Sequence, residues 1–307
     1  MSKPTIGVSA CLIGRAVRYD GGHRRHSFVT DTLGSRARLV AVCPEVELGL
    51  GAPRPTLQLL RHEQDTRLIE AGGRDLTQGM RDYARARVEA LAADDLDGYI
   101  LKARSPSCAV ADAPRIDEAG RSVDVGAGLF TETLMARWPD LPVEDEDRLA
   151  DPMVRRDFLE RVAVYGGVKA LFRSAWSLGD LVRFHTAHKL ALSAHDDNKY
   201  RALGRFVATA HELGRHDVPA SYTAALMAAF STPTSLATHV NVLMHALGHF
   251  RDRADEATRA HLAATIDACR AGAINLDESV GTFGKFARMC DVTYLSGQSY
   301  FAEGPLV

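Results

Sequence analysis

No stretch of this 307-residue chain approaches the roughly 20 consecutive apolar residues that a membrane-crossing helix needs. Nothing near Met1-Ser2-Lys3-Pro4 resembles a secretory leader, since those residues run straight into a short apolar strand, and a cytoplasmic protein is expected. Close cysteine pairs are missing too. The five cysteines stand at positions 11, 43, 108, 269 and 290, which excludes a zinc ribbon and a CxxC redox motif. Their odd number argues against a disulfide framework. Excess charge is also lacking. A net charge of −2 means that any nucleic-acid binding must come from local patches. Internal repeats and low-complexity tracts are absent, and the 46% hydrophobic and 25% charged content is that of a globular chain long enough for two domains.

What is present in the first half is an alternation of strand and helix signals. Thr5–Ala10, Arg38–Val42 and Gly98–Lys102 read as short apolar strands. The first ends at Cys11, the second at Cys43-Pro44-Glu45, and the third is followed by Ser105-Pro106-Ser107-Cys108. Proline has no N–H to give a sheet ladder, so Pro44 places Cys43 and Glu45 at a strand's carboxyl end. In open α/β sheets that edge is where ligands bind. A hairpin is expected from Leu57–Arg61 and Arg67–Glu70, a helix over Asp75–Ala93, an apolar element at Val123–Val125, and a helix opening at Gly126-Ala127-Gly128. Strands interleaved with helices predict a parallel-sheet, Rossmann-like α/β domain. Three strand ends, each delivering a thiol, suit an iron–sulfur cluster, whose Cys ligands tolerate dispersal in sequence. Burial as small hydrophobic residues is the other account of such cysteines. Between Leu12 and Arg25 lies a glycine-rich loop with Arg15, Arg18, Arg24 and Arg25 and almost no acid. Phosphate contact and a plain solvated loop both fit that composition.

The proline-bearing acidic run Leu141–Asp147 reads as a boundary, dividing the chain into residues 1–148 and 149–307. Beyond it only helical periods occur: Pro152–Arg173, Leu178–Ser193, Asp196–His211, Ala220–Phe230, Ser235–Arg253, Asp255–Ala271 and Val280–Ala287. An all-α bundle is expected. His185 and His188 share a helix face, as do His245 and His249, but no HExxH pattern accompanies them and core or rim packing is the simpler account. Arg183, His185, His188, Lys189 and Lys199 form a cationic group suited to nucleic-acid phosphates, the alternative being a scaffold. Cys269 and Cys290 read as structural.

Val8–Gly14, Val17–His23, Cys43–Leu50, Pro53-Arg54 and Ser105–Cys108 together resemble the TudS thiouracil desulfidase family in sequence and order. Arg183–Lys189, Asn241–His245 and Gln298-Ser299-Tyr300 resemble the YbgA-type helical domain, a pairing similar to the RudS desulfidases that act on 4-thiouridine in tRNA. The resemblance implies a [4Fe-4S] cluster on Cys11, Cys43 and Cys108 with one iron left open, catalytic roles for Glu45 and Ser105, and thiolated tRNA as partner. Exchange of sulfur for oxygen is redox-neutral, so no nicotinamide or flavin is expected. Free thiouracil as substrate, or a non-enzymatic iron–sulfur sensor or RNA-binding module, remain the alternatives. Ala109 departs from the pattern, which has glycine after the last cysteine.

Overall fold

The computed structural model describes residues 3–63, 65–173 and 175–302. Contact density divides the chain after Ala163, inside a long helix. That division lies beyond residue 148, because Phe158, Leu159 and Val162 at the start of the helix belong to the core of the first unit.

The first unit is built on a four-stranded parallel sheet. Its strands are β1 (Thr5–Ser9), β2 (Arg38–Val42), β5 (Gly98–Leu101) and β8 (Val143–Asp145), in the order β2-β1-β5-β8. Register pairs Val8 with Ala41 and with Ile100, so neighbouring strands end at the same level. Ile6, Val8 and Ile100 are fully buried, as strands covered on both faces must be. Each such side chain contributes about 1.5–3 kcal/mol of burial. A second sheet carries β3 (Leu57–His62), β4 (Asp65–Glu70), β6 (Ala113–Ile116) and β7 (Ser122–Gly126), in the order β4-β3-β6-β7. Two single-turn helices, α1 (Gly34–Arg36) and α2 (Pro44–Glu47), flank β2. Thr77–Leu91 forms α3, whose Met80 joins Leu59, Leu68 and Leu129 in a separate small core, Leu129 being the first residue of α4 (Leu129–Arg137).

The acidic run that reads as a boundary contains β8, and Glu144, Asp145 and Glu146 are all buried. Charged side chains at a strand's end find partners there that composition does not reveal. Val123 and Val125 are 51% and 60% exposed on the sheet's outermost strand and contribute nothing to the core.

The second unit is helical. After α5 (Pro152–Arg173) come α6 (Leu178–Ala187), α7 (Lys189–His195), α8 (Asp197–Thr209), α9 (Asp217–Phe230), α10 (Leu236–Gly248), α11 (Glu256–Arg270), α12 (Leu276–Met289) and the single turn α13 (Thr293–Ser296). Ser177 with Asp180 and Ser235 with Thr238 form capping boxes, and Asp196, Asp255 and Asn275 cap three more helices. The single period over Leu178–Ser193 is two helices that break at His188. Gln298, buried and distant in sequence, stabilises the break: its amide donates to Thr186 O at 2.8 Å and its oxygen accepts Leu190 N–H at 3.1 Å. Among the described residues, no helix is long and apolar enough to cross a membrane.

Candidate active site

Each of the three cysteines sits just past a strand or in a turn that backbone chemistry fixes. Cys11 follows β1 in a 3-10 turn closed by Gly14, whose φ of +90° needs glycine. The arginine loop folds back on it, Arg24 N–H donating to Cys11 O at 2.9 Å. Cys43 caps α2, with Pro44 at the first helical position, where a missing N–H costs nothing. Its N–H donates to Glu47 Oε1 at 3.1 Å. Cys108 closes the turn that starts at Ser105, and Ser105 Oγ accepts the N–H groups of Ser107 and Cys108 at 3.3 and 3.1 Å. Thr131 donates to Cys108 O at 2.8 Å from α4. Ala109 occupies this turn without a left-handed φ and is fully buried, so its methyl is accommodated.

All three thiols line one cavity of about 430 Å³ at the carboxyl edge of the parallel sheet, together with Glu45, Ser105, Arg18, Arg24 and Lys102. Their mutual influence is plain. Burial pushes Cys11 up to about 11, and Cys43 adds to the rise while Lys102 and Arg18 oppose it. Burial likewise raises Cys43, with Glu45 adding. Cys108 is driven far above its ordinary value by burial, then by Glu45 and the other two thiols. Burial and mutual repulsion disfavour three free thiolates side by side, and a cationic, thiophilic partner that binds them all relieves that cost. Three thiols delivered to one cavity by three separate elements are a donor set that suits an iron–sulfur cluster, whose Cys ligands come from dispersed positions.

Glu45 stands at the N-terminal end of α2, where Ser107 Oγ donates to its Oε1 at 2.9 Å. Arg54 donates to Oε2 through Nε at 2.8 Å and also through Nη2; the two side chains are 4% and 13% exposed. Arg54 further donates to Val17 O at 2.9 Å and Gly51 O at 2.7 Å, tying the arginine loop to the carboxylate. The two serines thus divide the work differently from the sequence expectation. Ser105 lines the cavity and also caps the turn, whereas Ser107 is the hydroxyl that holds Glu45. Arg54 and Ser107 were missed as site residues; Pro53-Arg54 lay in a recognised motif, but nothing local ties either residue to Glu45.

The proposed phosphate ligands separate. Arg18 and Arg24 line the cavity. Arg25 pairs with Asp31, and Arg15 is exposed outside the cavity wall. In the helical unit the expectation fails for His185. Its ring is 3% exposed, 3.2 Å from the Tyr222 hydroxyl and stacked on Tyr200. Burial, with Lys189 and His188 adding, lowers its pKa to about 4, so it is a neutral core residue and no phosphate ligand. His188 packs on Phe184 and its Nδ1 lies 2.7 Å from Phe184 O, while Lys189 is half-buried at the start of α7. Lys199 donates to Ala228 O and Thr232 Oγ1, and Arg183 pairs with Asp180. His239, which sequence reasoning passed over, lies 2.7 Å from the hydroxyl of Tyr300. Gln298 and Tyr300 thus have structural uses.

Residues 6–146 match the 2-thiouracil desulfurase family, and residues 189–305 match a family of unknown function, DUF1722. The first half is therefore a desulfidase-family domain of the TudS type, joined to a helical domain of the YbgA type. An Escherichia coli (strain K12) protein described as uncharacterized protein YbgA is 35% identical over 130 residues, 42% of this chain and 77% of that protein. The chain belongs to the family of that relative. A solved [4Fe-4S]-dependent thiouracil desulfidase, TudS, is 33% identical, with 48% of this chain and 94% of that chain covered and a TM-score of 0.40.

Proposed function

We propose that this protein is an iron–sulfur-dependent desulfidase that converts 4-thiouridine in tRNA to uridine and releases sulfide. The observation that carries the proposal is the convergence of Cys11, Cys43 and Cys108 with Glu45 on one cavity. A [4Fe-4S] cluster held by the three thiolates supplies, when bound, an iron without a protein ligand, a soft Lewis acid for sulfur.

The chain's own residues do the rest. Replacing C=S by C=O consumes one water and gives hydrogen sulfide, with no net electron transfer. Glu45 takes a proton from that water and returns one to the ring or to the departing sulfur. Arg54 and Ser107 hold both its oxygens, so the carboxylate arrives already aimed. The Ser105 hydroxyl, whose oxygen accepts two amides, keeps its hydrogen to direct at the base or the water. Arg18 and Arg24, on the cavity wall, meet the polynucleotide phosphates next to the inserted base.

Anaerobically reconstituted protein is expected to release one sulfide per 4-thiouridine from thiolated tRNA, with loss of the thiobase absorbance. Free 2-thiouracil, the base named in the family description, serves as the parallel substrate. Turnover of the base with indifference to tRNA would replace the polymer with a free thiobase. Absence of sulfide from both would leave an iron–sulfur sensor or RNA-binding module and end the desulfidase proposal. Cys108→Ala is expected to lose most of its iron on reconstitution, read by iron and sulfide analysis.

A further inference from the structure

Beside the thiols, the sheet's carboxyl edge presents a charged pair that no step above employs. Lys102 follows β5 and Glu146 follows its parallel neighbour β8, so adjacent strand ends bring the two together. Their side chains are only 14% and 7% exposed, and Lys102 Nζ donates to Glu146 Oε1. The other oxygen of Glu146 accepts Ala103 N–H at 2.8 Å. A buried ion pair is commonly no more stabilising than apolar residues of the same shape, so stability is a weak reason for its presence. An ammonium has three N–H donors. One goes to Glu146 and one to Ala103 O at 3.0 Å. The third is uncommitted, and Lys102 forms part of the wall of the thiol cavity. Its main chain is pinned as well, Lys102 N–H donating at 3.0 Å to Ser9 Oγ at the end of β1.

We propose that Lys102, held by Glu146, selects the substrate base by donating a hydrogen bond to the exocyclic acceptor that is not exchanged. This rests on the desulfidase function and specifies its substrate class. A uracil-type ring bears an acceptor at each of its two exocyclic positions. A cytosine-type ring bears an amino group at one of them, and there donor would face donor. A site built around a charged donor rejects such a ring strongly, because both groups are left unpaired. The cavity thus takes thio-oxo-pyrimidines and excludes thio-amino-pyrimidines.

The test compares 2-thiouracil with 2-thiocytosine as substrates of the reconstituted holoenzyme and, independently of turnover, measures uracil binding by calorimetry. Wild type is expected to bind uracil and to prefer 2-thiouracil. Lys102→Met is expected to weaken uracil binding by about 10- to 100-fold, the worth of one hydrogen bond to a charged donor. Its KM for 2-thiouracil rises more than kcat falls, and its preference over 2-thiocytosine collapses. Lys102→Gln keeps an N–H without the charge and should fall between the two; it carries the test if the methionine variant does not fold. Iron content should match wild type in both, since no thiol is altered. Wild-type uracil affinity and base preference in Lys102→Met, or in Lys102→Gln where only that variant folds, overturn the proposal. A wild type indifferent to uracil and both thiobases overturns it too, while sulfide release from thiolated tRNA would leave the desulfidase function standing.

Discussion

Glu45 has a buried guanidinium on one oxygen and a buried hydroxyl on the other, and these contacts separate the roles of two neighbouring serines. Ser107→Ala removes a donor from Glu45 while leaving the Cys108 turn intact. The expected result is a kcat lowered about 10-fold at unchanged iron content, measured as sulfide release. Ser105→Ala removes the acceptor of two turn amides, so it should lower both turnover and iron retention on gel filtration. Glu45→Gln keeps the shape but gives up proton transfer, with an expected loss of about 10²–10⁴ in kcat. Full turnover in Glu45→Gln with an intact cluster would remove the carboxylate from the mechanism. The thiols and Glu45 were legible in the sequence because strand-end signals are local, whereas Ser105 entered only through the family resemblance. Arg54, Ser107 and the Lys102–Glu146 pair were not legible, since each is defined by a partner from a different element.

At the level of elements, the start of α4 packs tightly against the Cys108 turn. A Cβ on Gly128 would stand 2.3 Å from Ser107 C and 2.6 Å from Cys108 N, distances that only movement of the backbone could relieve. Gly128→Ala is therefore expected to lower stability by several kcal/mol in denaturant unfolding and to reduce iron incorporation. Gly7 plays the same part within the sheet, where the Tyr99 ring would be 2.3 Å from an added Cβ. Helix α3 and the β3–β4 hairpin were readable because their apolar periods match their packing, Met80, Ala84, Val88 and Leu91 all being buried. The break between α6 and α7 was not. Both segments carry an unbroken helical period, and the side chain that stabilises their separation comes from Gln298.

Across the whole molecule, the helical domain carries a pH dependence of its own. His185 is neutral in the fold, with a pKa lowered to about 4 chiefly by burial, against an ordinary value of 6.5. A depressed histidine binds protons more readily once unfolded, so its contribution is complete above about pH 6.5 and declines as the pH falls towards 4. At pH 5 the loss amounts to roughly 2 kcal/mol. Urea unfolding of the intact protein, followed through the buried Trp176, is expected to show this loss, and His185→Gln should flatten it. An unchanged pH slope in that variant would assign the dependence to other groups.

The order of strands and helices, and the placing of three thiols and a carboxylate at strand ends, were determined by the sequence alone, because turn chemistry and apolar periodicity act over a few neighbouring residues. Tertiary structure decided which hydroxyl meets Glu45, which acid meets Lys102 and that His185 lies in a core. Those partners stand 62, 44 and 37 residues apart in the chain, and only the packing of whole elements sets such distances.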